Sequence, residues 1–160
     1  MMTFNNKVSL ILAGSGAFLG GLLHIVALWC GPEWIAFLHA PPSVVESARL
    51  GTWLAPVGSL VITALMWLCS LYAFSAAGFL RRLPLLRTGL FVVALVCIVR
   101  GLILIPLLMI YPRFLLVHID TFEVVASIIW LAIGIFFALG LHGIRKNAYR
   151  LFGEKVKSAT

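Results

Sequence analysis

Acidic residues are scarce in this chain: five in 160, against twelve Lys or Arg. Charged residues of both signs make up only 11%, where a soluble domain carries about 25%. That shortage leaves no solvated surface to cover the 62% of residues that are hydrophobic, and the mean hydropathy is +1.12. The composition excludes a soluble fold and puts the chain in the membrane class. Cysteine is also sparse. Cys30, Cys69 and Cys97 are odd in number and form no CxxC pair, which excludes a disulfide framework. They read as small apolar side chains of a helix bundle. No P-loop, Rossmann glycine pattern, nucleophile elbow or catalytic dyad occurs, and Gly14, Gly16, Gly20 and Gly21 fall in an apolar stretch with no phosphate role. The net charge of +7 would point to nucleic acid in a soluble protein. Here the basic residues flank apolar stretches, where membrane orientation and anionic headgroups account for them. The lipid bilayer is the expected partner, and nucleic acid is not.

What is present is long apolar sequence. Residues 8–32, 50–80 and 124–144 carry no charge, and 88–112 carry only Arg100. Each stretch holds the ~20 residues that cross a ~30 Å hydrocarbon layer. The expected fold is all-α: an antiparallel four-helix transmembrane bundle forming one domain over 1–160. Its helices are expected at about 9–30, 53–79, 88–110 and 123–143, followed by a basic tail over 144–160. The first span is longer than the apolar region of a signal peptide, lacks a small-x-small cleavage site, and is read as retained.

Charge gives the orientation. Arg81, Arg82 and Arg87 share one loop without an acid, and the tail holds Arg145, Lys146, Arg150, Lys155 and Lys157 against Glu154. The other two loops hold Arg49 and Arg113 with Glu33, Glu46, Asp120 and Glu123. The positive-inside rule puts both termini and the 81–87 loop in the cytoplasm.

The outer loops carry their own patterns. Ser43 and Glu46 predict a capping box opening a short amphipathic helix over 43–50. Trp29, Trp34 and Trp53 fit an interfacial belt. In both 31–49 and 112–123 a proline, an aromatic, a histidine and a glutamate follow in order, the pattern of two related helical hairpins. Gly16 with Gly20, and Gly134 with Ala138, are small residues four apart, suited to close helix packing within the chain or to a homo-oligomer.

Arg100 is the residue that most needs a physical explanation. Residues 88–99 and 101–112 flank it without charge, which would place it roughly 18 Å from either end of an unbroken helix. An arginine at the centre of a lone span costs at least about 2.5–3.5 kcal/mol and does not neutralise. It therefore needs partners. Glu123 is the best acid. His24, Ser59, Thr63 and Ser127 lie at similar depth in the outer half, and the six together make the candidate ligand pocket. A weaker metal reading takes His118, Asp120 and Glu123 with His39, whose donor types suit a divalent ion but whose spacing matches no known metal motif. A bis-histidine haem site needs two histidines at one depth on facing helices; His142 lies alone at the inner end, and His24 could pair only with loop residues. The sequence points to no particular cofactor.

Several stretches resemble a group of small, uncharacterised four-span bacterial inner-membrane proteins. They are Gly31-Pro32-x-Trp34 with Phe37-x-His39-Ala40-Pro41-Pro42, Leu71-Tyr72-Ala73-x-Ser75-x-Ala77-Gly78, Arg81-Arg82-Leu83-Pro84-Leu85-Leu86-Arg87, and Arg100-Gly101-Leu102. The resemblance implies a bacterial inner-membrane location and no particular activity. The chain resembles neither the four-span haem-synthesis oxidases nor the quinone-linked disulfide enzymes. The expected function is non-enzymatic: binding a small ligand or ion in the outer-half pocket, or assisting a larger membrane complex through a membrane-protein partner. The alternative is a membrane enzyme acting on a lipid, quinone or haem precursor.

Overall fold

A computed structural model of the chain describes residues 4–110 and 121–157. Among them the regular structure is entirely helical: α1 (Phe4–Cys30), α2 (Pro32–Phe37), α3 (Pro42–Arg49), α4 (Leu54–Ala77), α5 (Leu86–Leu102), α6 (Leu104–Ile110) and α7 (Thr121–Lys157). Three helices are long and apolar enough to cross a membrane: α1, α4 and the Thr121–Ile144 part of α7. They suggest a membrane protein, because a helix satisfies its own backbone where no water can.

The third expected span is not one helix. α5 stops at Leu102, and α6 starts at Leu104. Pro106 explains the break. It has no N–H for the carbonyl of Leu102, and its ring crowds that carbonyl. Arg100 therefore sits in the last turn of α5 rather than midway along an unbroken helix. The fourth helix departs in the other direction. It runs past the apolar stretch through the basic tail to Lys157, a segment free of proline and rich in good helix formers.

Two compact units divide the chain: residues 15–70, and residues 1–14 with 71–160. In the first, α1 and α4 run antiparallel. Gly20 faces Met66, and Gly21 faces Trp67. Thr63 Oγ1 donates to the Gly21 carbonyl at 3.2 Å, and Trp67 Nε1 donates to the Phe18 carbonyl at 3.3 Å. The Trp67 and Phe18 rings stack at 5.6 Å. The segment beyond α1 folds back as a cap. Gly31, with φ 103°, turns the chain, and prolines open both short helices, where their missing N–H is no loss. Ile35 packs with Ala27 and Ala55 under Val44, Val45 and Ala48. The expected capping box does not form. Pro41 is the N-cap of α3 and Pro42 its first residue, so Ser43 lies inside the helix.

The cap ends both of its helices in the same way. His39 N–H bonds Ala36 O while Ala40 N–H reaches Ile35 O, and Gly51 and Thr52 repeat this over Ala48 and Ser47. Each is a Schellman closure, which needs a left-handed residue. Gly51 supplies one without strain at φ 66°, whereas His39 adopts φ 56° despite its side chain. Ser47 then ties α3 to the start of α4. Its buried hydroxyl accepts from Thr52 Oγ1 at 2.7 Å and from the Ala55 N–H at 2.9 Å, and donates to the Thr52 carbonyl at 3.2 Å.

In the second unit, α5 and α7 cross antiparallel and very close. Gly101 lies on the backbone of Leu131, and Gly134 lies on Cys97 and Ile98. The start of α1 also lies antiparallel along α7, with Asn6 at Gly143 and Leu10 at Gly140. Leu10, Leu90 and Phe137 are the largest side chains fully buried there. Gly20 and Gly134 thus spend their small size on packing inside the chain.

Candidate functional site

The crossing of α5 and α7 determines what Arg100 meets. α5 delivers it in the last turn, where partial negative charge favours a cation, and α7 delivers Glu123 in the first turn, where partial positive charge favours an anion. Arg100 Nη2 lies 3.9 Å from Glu123 Oε2. That separation is a loose ion pair, too long for a direct hydrogen bond between those two atoms. The side chains remain 43% and 27% exposed, so neither is locked away.

Ser127 lies one turn further along α7, on the same face as Glu123. It is 5% exposed, and its hydroxyl has no hydrogen-bond partner among the described residues. A buried hydroxyl without a partner costs about 1–3 kcal/mol, and such a group in a native protein calls for an explanation.

The six candidate pocket residues divide between the units. Arg100, Glu123 and Ser127 belong to residues 1–14 with 71–160, and His24, Ser59 and Thr63 to residues 15–70. Within the latter, Ser59 and Thr63 are buried and His24 is half-buried. The Thr63 hydroxyl has a structural partner in Gly21 O. Comparison with known proteins gives no matching family model, no curated protein and no solved structure. The arrangement has to be judged by its own chemistry.

Among the described residues no three His, Cys, Asp or Glu side chains group as a metal site would. His118 and Asp120 lie outside those residues, as does most of the second histidine-bearing loop. His39 is exposed, and its Nδ1–H donates to the Phe37 carbonyl at 3.1 Å. Glu33 is paired with Arg49 at 3.1 Å. His24 and His142, the two histidines weighed for haem, fall in different units. Cys30 is exposed, Cys69 half-buried and Cys97 buried, all as free thiols.

Proposed function

We propose that the chain is a multi-pass membrane protein of four spans, with α5 and α6 together forming the broken third. Its termini and 81–87 loop lie in the cytoplasm, and it binds a small ligand or ion between Arg100, Glu123 and Ser127. The basic residues on one set of loops and the acids on the other support the orientation. The resemblance to small four-span inner-membrane proteins supports the location. One observation carries the site. A guanidinium and a carboxylate 3.9 Å from it lie where α5 ends and α7 begins, and one turn along α7 a buried hydroxyl has no partner among the described residues.

A purely structural ion pair would gain from closing to hydrogen-bond distance and from leaving no polar neighbour unsatisfied. The buried Ser127 hydroxyl, one turn along α7 from Glu123 and without a partner among the described residues, is instead what a ligand with both donor and acceptor groups would complete. Arg100 supplies fixed positive charge and several N–H donors, Glu123 accepts, and Ser127 does either. This is recognition chemistry. It contains no activated nucleophile and no paired acid and base, which favours binding over catalysis.

The test is native mass spectrometry of the full chain released from membranes in mild detergent. Wild type should carry a small-molecule adduct, and the Arg100→Leu, Glu123→Gln double variant should fold without it. A folded double variant that keeps the adduct, or that rescues a deletion strain as well as wild type, overturns the site.

A further inference from the structure

The turn between α4 and α5 is built more firmly than a connecting loop requires. α4 ends in a Schellman closure at Gly78, with Gly78 N–H on Ser75 O and Phe79 N–H on Phe74 O. Ser75 is 3% exposed, and its hydroxyl grips the turn at two points. It donates to the Arg81 carbonyl at 2.8 Å and accepts from the Leu83 N–H at 3.0 Å. The Tyr72 hydroxyl donates to the Pro84 carbonyl at 3.4 Å, and the Tyr72 ring packs against Gly89. Leu85 then takes a left-handed backbone, φ 53°, to start α5. A leucine holds that conformation only where its surroundings impose it.

This frame holds three exposed arginines, Arg81, Arg82 and Arg87. No acid lies between Glu46 and Asp120 in the sequence, and among the described residues no ion pair joins any of the three. Interleaved with them are exposed apolar side chains: Phe79 at 68%, Leu80 at 44% and Leu85 at 77%. The combination decides the occupant. A free phosphate or a nucleic acid would use the guanidinium groups and leave the apolar residues in water. An anionic amphiphile uses both, placing its phosphodiester on the arginine forks and its acyl chains on Phe79, Leu80 and Leu85.

We propose that the turn 79–87 is a preformed binding site for an anionic phospholipid of the leaflet on its own side, with Arg81, Arg82 and Arg87 on the headgroup. Ser75 acts as a positioning residue that fixes the turn. The proposal rests on the chain being membrane-embedded and is independent of any ligand at Arg100.

The experiment reconstitutes the full chain into nanodiscs of phosphatidylcholine alone, or of phosphatidylcholine doped with cardiolipin or phosphatidylglycerol. Retained lipid is read by native mass spectrometry and stability by thermal unfolding. Wild type should retain the anionic lipid and be stabilised by it. Each arginine near a lipid surface is worth about five-fold in affinity, so Arg81→Gln, Arg82→Gln, Arg87→Gln together should lose on the order of a hundred-fold. Ser75→Ala keeps every charge and should still weaken retention several-fold. Equal retention of phosphatidylcholine overturns the proposal, as does a triple variant that binds like wild type. Full binding by Ser75→Ala, correctly folded in phosphatidylcholine, would reduce the turn to unstructured charge and overturn the built site. Displacement by millimolar inorganic phosphate would overturn the assignment to lipid. A wild type that fails to enter phosphatidylcholine discs would overturn the membrane reading itself, a separate result.

Discussion

Gly101→Ala tests the α5–α7 crossing on which the Arg100 site depends. A Cβ at Gly101 would stand 2.6 Å from the Leu131 nitrogen, 2.8 Å from its Cα and 2.7 Å from its Cβ. Ordinary contact begins near 3.4 Å, so the helices would have to part by about 0.8 Å at this point. Two of the three obstructing atoms are backbone, which no rotamer change can move aside. Overpacking of this kind costs about 1–3 kcal/mol, and the rigid obstruction argues for the upper half of that range. Alanine returns about 0.5–1 kcal/mol through its better helix propensity. The expected net loss is about 1–2.5 kcal/mol, or a few degrees in Tm at about 2–4 °C per kcal/mol for a chain of this size. Gly58→Ala is the control. It lies within α4, with nothing inside 4 Å of the added carbon, so it should gain the propensity term and unfold slightly later. Thermal unfolding of the full chain in one detergent measures both. If Gly101→Ala were as stable as wild type while Gly58→Ala behaved as expected, the close crossing and the Arg100–Glu123 approach would both be wrong.

Two further outcomes are expected. Ser47→Ala should cost about 1–3 kcal/mol, because it strips the buried Ala55 N–H of its hydroxyl partner; protease cleavage within 31–53 should rise, and an unchanged cleavage rate would refute the latch. Alkaline phosphatase fused after Glu46 or Asp120 should be active in bacteria, and inactive after Arg87 or Arg150; activity at Arg87 would overturn the proposed orientation.

The helical class and the apolar helices were legible because charge is so rare here that the few ionisable residues mark the ends of each stretch. The break in the third stretch was legible too, but in a different residue. That residue is Pro106, whose missing N–H ends α5 four residues before it. Glu123 could be named as the partner because it is the acid that opens the following helix. Ser127's isolation could not, since it depends on helix rotation, which apolar sequence leaves open. The left-handed backbone at His39 was hidden for another reason: turn chemistry points to glycine there, and the cap imposes the conformation on a histidine. Ser75 gave no warning either. Its hydrogen bonds run to backbone six and eight residues ahead, and serine is an ordinary residue in a membrane helix.

α7 carries no break over its 37 residues, a rod of about 55 Å. A rod transmits orientation without loss. Tilting it by 10° about its Glu123 end would swing the Lys157 end sideways by roughly 10 Å. Glu123 and the basic tail therefore ride on one continuous element, held between them against α5 at Gly134 and against the start of α1 at Gly140 and Gly143.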